Sequence, residues 1–311
     1  MKFLVVALLL AFTASASAGV YKIIEQRKDQ VINEHDDDAL SLADEILRES
    51  KGRLANGYNA GILVSAAVNE TLGESEGRIT NGYTAYAGQL PYQAFLSIKN
   101  KKGSVMCGGS LIGSQWILTA AHCTINAVSV TVYLGSIQRY YGSAYTVSRQ
   151  NIIIHHNYNG YDQLNDISLI KIPAVSLNSP YIQPIKLPAI TNYYTSYAGE
   201  NVIVSGWGQT SDTNYSGSMY LQWARLQVIT NNVCAHSFGS MASSIICVAT
   251  NGGISTCFGD SGGPMVLENS KVLIGLTAFG QRSCQSGYPA GFTRITSYLD
   301  WIKYYTGIYY T

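Results

Sequence analysis

Three glycines crowd one short stretch, Thr256-Cys257-Phe258-Gly259-Asp260-Ser261-Gly262-Gly263-Pro264. Glycine lacks a Cβ, so the backbone here can turn sharply and approach another segment closely. A serine hydroxyl is displayed in the middle of that turn. With free backbone N–H groups beside it, such a hydroxyl can attack a carbonyl while the N–H groups hold the oxyanion that forms. Gly-Asp-Ser-Gly alone also fits a tight turn with a solvated serine. The longer run, directly after a cysteine, is far more specific.

Two further motifs lie upstream. Leu118-Thr119-Ala120-Ala121-His122-Cys123 places a histidine beside a cysteine, and Asn165-Asp166-Ile167-Ser168-Leu169-Ile170 places an aspartate before an apolar run. Taken singly, these read as a capped core histidine and a turn aspartate. Together with Ser261, in the order His, Asp, Ser, they supply a base, its orienting carboxylate and a nucleophile. The chain therefore resembles the chymotrypsin-like serine proteases over residues 79 to 311, about three quarters of its length. The resemblance implies a secreted endopeptidase made as a zymogen. Its catalytic residues would be His122, Asp166 and Ser261, and its oxyanion hole the N–H groups of Gly259 and Ser261.

Residues 1 to 18 read as a signal peptide: Lys2 is the charged start, Phe3 to Phe12 the apolar core, and Ala16-Ser17-Ala18 the small-residue cleavage site. The apolar run is too short to span a bilayer. Residues 19 to 78 read as a propeptide of different texture. They carry seven Lys and Arg against twelve Asp and Glu, a balance of −5, whereas residues 79 to 311 carry twelve against seven, a balance of +5. Leu40, Ala43, Ile46 and Leu47 have helical spacing, and Asp36-Asp37-Asp38 could cap that helix. No cysteine falls in this segment, so a disulfide cannot retain it after cleavage. Gly52-Arg53-Leu54-Ala55-Asn56-Gly57-Tyr58 echoes Gly77-Arg78-Ile79-Thr80-Asn81-Gly82-Tyr83.

By the resemblance, Arg78-Ile79 is the activation bond, and the freed α-amino group of Ile79 pairs with Asp260. Ile79-Thr80-Asn81-Gly82 departs mildly from the family's Ile-Val-Gly-Gly: Thr80 keeps a β-branched shape, and Asn81 tolerates unusual backbone angles.

Short β-type runs broken by Gly, Asn and Ser fill the protease segment, among them Ser129 to Leu134, Asn151 to Ile154 and Val202 to Val204. They indicate an all-β sandwich or barrel. Ile295, Leu299, Ile302 and Tyr305 share one face of a C-terminal helix. The resemblance makes the fold two six-stranded antiparallel β-barrels, with His122 and Asp166 from the first and Ser261 from the second.

Six cysteines in an exported chain read as disulfides, and six allow fifteen pairings. The resemblance implies Cys107–Cys123, Cys234–Cys247 and Cys257–Cys284. It also assigns Ser255 to the base of the substrate pocket and Gly280 and Ala290 to its walls. With no carboxylate there, a Lys or Arg side chain would be buried without a counter-charge. Chymotrypsin-like cleavage after apolar or aromatic residues is expected, with an elastase-like preference for smaller aliphatic residues, or a regulatory or non-catalytic secreted homologue, as the alternatives. Where the family carries a serine that hydrogen-bonds the catalytic aspartate, this chain has Ala278, so Asp166 is expected to be less well hydrogen-bonded.

The remaining motifs are plainer. His155 and His156 are expected on opposite faces of a strand, and so not as a shared metal site. His236 is expected in a surface loop, and Asn69 and Asn214 lie in glycosylation patterns. Protein or peptide substrates and a trypsin-like activating protease are the expected partners. No nucleic acid, membrane, metal or cofactor is expected, and the enzyme is expected to act as a monomer, in a digestive role.

Overall fold

The computed structural model describes residues 79–311 apart from Asn192, Tyr194 and Asn214. The expected signal peptide, the expected propeptide and its helix, Arg78, Asn69, Tyr194 and Asn214 lie outside the described residues.

Alternation of apolar and polar residues sets the strands. In β5 (Ala127–Leu134), Val130, Val132 and Leu134 are buried while Ser129, Thr131 and Tyr133 between them are only partly so. In β10 (Gln222–Ile229), Ala224, Leu226 and Val228 point inward. A period of two lets one face of each strand join a core. Two such cores form. In the first half, β2 (Gln93–Asn100), β3 (Gly103–Gly113), β4 (Trp116–Thr119), β6 (Ser143–Ser148), β7 (Ile152–Ile154) and β8 (Ser168–Lys171) join β5 in one curled antiparallel sheet, ordered β6-β5-β2-β3-β4-β8-β7. Leu96, Ile98, Leu111, Ile117, Val130 and Val132 fill its concave side. In the second half, β9 (Asn201–Gly206), β11 (Ile245–Ala249), β12 (Pro264–Leu267), β13 (Leu273–Phe279) and β14 (Ala290–Arg294) join β10. Pairing of β9 with both β10 and β12 closes these six into a barrel, and the short β1 (Tyr83–Thr84) adds to β10 from outside.

The first half thus curls without a ladder between its outer strands among the described residues, whereas the second closes. The fold is the expected all-β one, with a full six-stranded barrel in one half and a curled sheet in the other.

A third cluster lies between the halves. Leu118 and Leu169 of the first sheet pack with Val266, Leu273 and Leu276 of the second and with Tyr298, Leu299 and Ile302 near the C-terminus. Those last residues belong to a 3-10 turn at Ile295–Tyr298 and to α3 (Leu299–Thr306), which ends at Gly307 in the left-handed conformation. Ile295, Leu299 and Ile302 face inward as expected. Tyr305 does not: it is 39% exposed and lies against Trp301. The two other helices are α1 (Ala121–Thr124), a single turn, and α2 (Asn231–Phe238), capped by the Thr230 hydroxyl accepting from Val233 N–H. His236 sits on α2, not in a loop.

The disulfides are Cys107–Cys123, Cys234–Cys247 and Cys257–Cys284. Among the described residues no helix is long and apolar enough to cross a membrane.

Candidate active site

His122 stands on the single turn α1, anchored by the buried Ala120 and Ala121. Its backbone N–H donates to Asp166 Oδ1 at 2.8 Å, and its ring Nδ1 lies 2.6 Å from Asp166 Oδ2. An ionised carboxylate only accepts, so Nδ1 carries the proton of this contact and Nε2 is left as an acceptor. The imidazole is about one-third exposed while the aspartate side chain is nearly sealed.

Asp166 is fixed from several sides. Asn165 before it is left-handed at φ 55°, a conformation asparagine tolerates. The Asn165 N–H donates to Tyr298 Oη, and its side-chain amide donates to Asn157 C=O. The Thr293 hydroxyl donates to the Asp166 backbone carbonyl at 2.9 Å. The carboxylate itself accepts from His122 twice, and among the described residues it has no hydroxyl donor. Ala278 therefore leaves Asp166 as the sequence suggests, and the backbone contacts do the positioning. Ala278 falls where the β13–β14 register slips, between Thr277 and Phe279.

The glycines of the nucleophile loop are required by their surroundings. Gly262 has φ +74°, and a Cβ there would lie 2.1 Å from Thr119 Oγ1 and 2.8 Å from Gly108 O. Its N–H donates to Thr277 O, while Gly263 N–H donates to Asp260 O. Gly108 N–H donates to Ser261 O at 2.8 Å, tying the serine's backbone to β3 of the first sheet. Cys123 Sγ lies 3.6 Å from Ser261 O and 3.7 Å from His122 Nε2, so serine backbone and imidazole share one neighbour. Among the described residues no hydrogen bond joins Ser261 Oγ to His122 Nε2; such bonds are often long without substrate. Nor do the N–H groups of Gly259 and Ser261 meet a protein acceptor. Two donors beside a serine hydroxyl are thus free for a ligand oxygen.

Asp260 is fully buried. Gly208 N–H donates to its Oδ1 at 2.7 Å and Cys257 N–H to its Oδ2 at 2.9 Å. Burial pushes its pKa up to about 6, with those two hydrogen bonds pulling the other way. Ile79, 1% exposed, packs in the core of the closed barrel with Val202, Val204 and Phe292. Thr80 pairs with Ser255 through backbone and hydroxyl, and the Asn81 amide donates to Gly252 O. Asn81 is left-handed at φ 59°, which the family's glycine would also allow. In the continuous chain the nitrogen of Ile79 is an uncharged amide.

Ser255 is buried, its hydroxyl donating to Thr256 O. Ala290 is buried at the start of β14. A Cβ on Gly280 would meet nothing within 4 Å, whereas one on Gly291 would strike the Phe279 ring. The loop after Gly280 is gripped from the β9–β10 loop of the same barrel by a residue the sequence reading missed. Asp212 accepts from Ser283 Oγ at 2.6 Å and from the N–H groups of Cys284 and Gln285, while its own N–H donates to Gln285 Oε1. The Ser283 hydroxyl leads in holding its carboxyl below the usual range.

The histidine pair corrects an expectation. β7 ends at Ile154, so His155 and His156 fall in the turn beyond it, where strand alternation no longer applies. Their rings stack at 4.6 Å, with His155 also against Tyr298 and Trp301. Burial and the neighbouring His156 lower the pKa of His155. Two clusters with metal-ligand atoms, Cys107–His122–Cys123 and Asp212–Cys257–Cys284, have their sulfurs tied up in disulfides.

A base oriented by a carboxylate, a serine in a glycine turn and free N–H donors beside it define a serine endopeptidase. A family model described as Trypsin matches residues 79–302. Collagenase from Hypoderma lineatum is 47% identical over 228 residues, covering 72% of this chain and 85% of that protein. Serine protease 1 from Drosophila melanogaster is 45% identical over 269 residues, covering 85% and 89%. Chymotrypsin from Phaedon cochleariae is 36% identical over 216 residues, covering 69% and 77%. A solved structure of HL collagenase superposes with a TM-score of 0.69 at 46% identity, covering 74% of this chain and 99% of that one. The chain belongs to the trypsin family.

Proposed function

We propose that this serine endopeptidase uses Ser261 as nucleophile, His122 as general base and acid, and Asp166 to hold the imidazole. The 2.6 Å contact between His122 Nδ1 and Asp166 Oδ2 carries the reading, because it leaves Nε2 the free lone pair a base needs. Ser261 Oγ attacks the scissile carbonyl carbon and its proton passes to His122 Nε2. The N–H groups of Gly259 and Ser261 hold the resulting oxyanion, a contribution of about 10²–10³-fold per donor. Collapse of the intermediate breaks the C–N bond, and His122 returns the proton to the leaving amine. Water then repeats the cycle on the acyl-enzyme. Ser261→Ala abolishes peptide hydrolysis and fluorophosphonate labelling; activity surviving that change would overturn the assignment.

The side chain before the scissile bond enters between Ser255, Gly280 and Ala290. The open space at Gly280 and the absence of charge among these three support a Phe, Tyr or Leu preference. Ala290, bulkier than glycine and buried at the wall, favours smaller aliphatic chains as the second reading. Substrates differing only at that residue separate the two. The relatives' names span collagenase, chymotrypsin and trypsin and do not choose between them.

Cleavage of Arg78-Ile79 by a trypsin-like protease would activate the enzyme, the new α-amino group of Ile79 turning to Asp260. The buried seat of Ile79 and the partially charge-starved Asp260 favour this. Residues 1–18 are the signal for export and residues 19–78 the propeptide. The low Lys and Arg content of residues 79–311 fits an enzyme that works as a monomer beside trypsins in a digestive fluid.

A further inference from the structure

We propose that Arg139 is the anion-binding end of a leaving-side subsite, so that the enzyme favours substrates with Asp or Glu one or two residues beyond the scissile bond. The inference rests on the triad reading above.

Arg139 follows β5 and lies beside the loop that carries Ser216 and Met219. Its guanidinium has soft partners: Nε donates to Met219 Sδ at 3.1 Å, Nη1 to Met106 Sδ at 3.6 Å and to Ser216 O at 3.2 Å. Tyr140 offers its ring face at 5.8 Å. Thioether sulfur is a weak acceptor. Among the described residues no carboxylate pairs with this cation, and Nη2 has no acceptor. Asp212, on the neighbouring loop, has both oxygens turned to residues 283–285. A guanidinium fork so placed binds a carboxylate in preference to sulfur, two N–H groups to two oxygens.

Met106 connects this cation to the chemistry. A Cβ on Gly259 would lie 2.6 Å from Met106 Cε, so the methionine touches the oxyanion loop. Met106 also precedes Cys107, which is bonded to Cys123, and Cys123 Sγ lies 3.7 Å from His122 Nε2. The leaving amine must lie next to Nε2 to receive its proton. Met106 and Arg139 therefore flank the leaving side, whereas Gly280 follows β13 and Ala290 opens β14 in the other half. One methionine side chain separates Gly259 from the guanidinium. An extended peptide advances roughly 3.3 Å per residue, which brings the first or second residue after the cut into reach.

The test uses the full chain cleaved after Arg78, as wild type, Arg139→Gln and Arg139→Lys. Internally quenched peptides share Tyr before the scissile bond and carry Glu or Gln at the first or second position after it. The Glu-to-Gln ratio of kcat/KM is taken within each enzyme, so differences in active fraction cancel. At low salt the wild-type ratio at one position is roughly 2- to 5-fold, as for a partly exposed ion pair, and it shrinks as salt is added. It falls to about 1 in Arg139→Gln and keeps part of its value in Arg139→Lys, where charge remains without the fork. A wild-type ratio of 1 at both positions overturns the proposal, as does an undiminished ratio in Arg139→Gln. Both results leave the peptides cut. Failure of the triad reading looks different: no peptide is cut and Ser261 takes no fluorophosphonate.

Discussion

His122 meets Asp166 through two separate groups, its backbone N–H on Oδ1 at 2.8 Å and its ring Nδ1 on Oδ2 at 2.6 Å. The backbone contact fixes where the carboxylate sits, and the ring contact fixes which nitrogen bears the proton. Asp166→Asn replaces an acceptor with an amide that can donate, which favours the wrong tautomer. The expected result is a fall in kcat of about 10⁴-fold with a nearly unchanged melting temperature. Steady-state kinetics and thermal denaturation on the same preparation check both halves.

Asp260 gives a pH prediction with a definite sign. Its folded pKa is pushed from 3.8 up to about 6, so between those values the folded chain holds a proton that the unfolded chain has released. The group's contribution to stability is intact below the lower value and is lost as pH rises through the upper one, by about 3 kcal/mol. In the uncleaved chain, Asp260→Asn should gain on the wild type by roughly that amount between pH 4 and pH 7. After cleavage at Arg78 the Ile79 amine, which ordinarily titrates near ~8, supplies a counter-charge. The relative gain should then vanish, and activity should fall at alkaline pH as the amine loses its proton. Denaturant midpoints for both forms at the two pH values decide it; equal gains before and after cleavage would exclude the pairing.

Gly280 has empty space where a side chain would project. Gly280→Val should therefore fold as the wild type does while closing the mouth of the pocket. Cleavage after Phe or Tyr should drop by about 10²-fold in kcat/KM, with cleavage after Ala retained, since a blocked pocket loses most of the roughly 2–3 kcal/mol of an aromatic's burial. Equal losses on large and small side chains would mean that Gly280 does not line the specificity pocket.

Asp212, in the β9–β10 loop, holds Ser283, Cys284 and Gln285 of the β13–β14 loop. Those residues continue the chain that leaves the pocket at Gly280 and lead into the Cys257–Cys284 bridge. Asp212→Ala should raise KM for aromatic substrates roughly 3- to 10-fold, the worth of one or two hydrogen bonds, with kcat little changed. Because its pKa is held low, the wild-type grip should persist through the ordinary carboxylate range and loosen only as pH falls below it. A KM profile across acidic pH reads this directly.

What could be read from sequence follows the distance over which each feature is encoded. The His122, Asp166 and Ser261 motifs are local runs whose neighbours announce them, and the structure explains the neighbours: Gly262 is forced by Thr119, and Asn165 by a left-handed turn. The all-β class and the C-terminal helix were legible from short runs and spacing, whereas the barrels came from the resemblance. The His155–His156 stack was missed because β7 ends with its apolar run at Ile154, so strand alternation does not reach the histidines, and Tyr305 was misplaced because the first turn is 3-10, which shifts the helical face. The disulfide pairs came from resemblance alone, since spacing cannot rank fifteen pairings. Asp212 with Ser283, and Arg139 with Met219, lie 71 and 80 residues apart. Such pairings depend on how separate loops meet in space, and no run of residues advertises them.

The base and its carboxylate stand on the curled sheet, while the nucleophile and its N–H donors stand on the closed barrel, joined across the seam by Gly108 N–H on Ser261 O. Neither lobe alone carries a complete set of reacting groups. Fragments that separate the two lobes should consequently be inert, and activity should return only where both are held together at this seam.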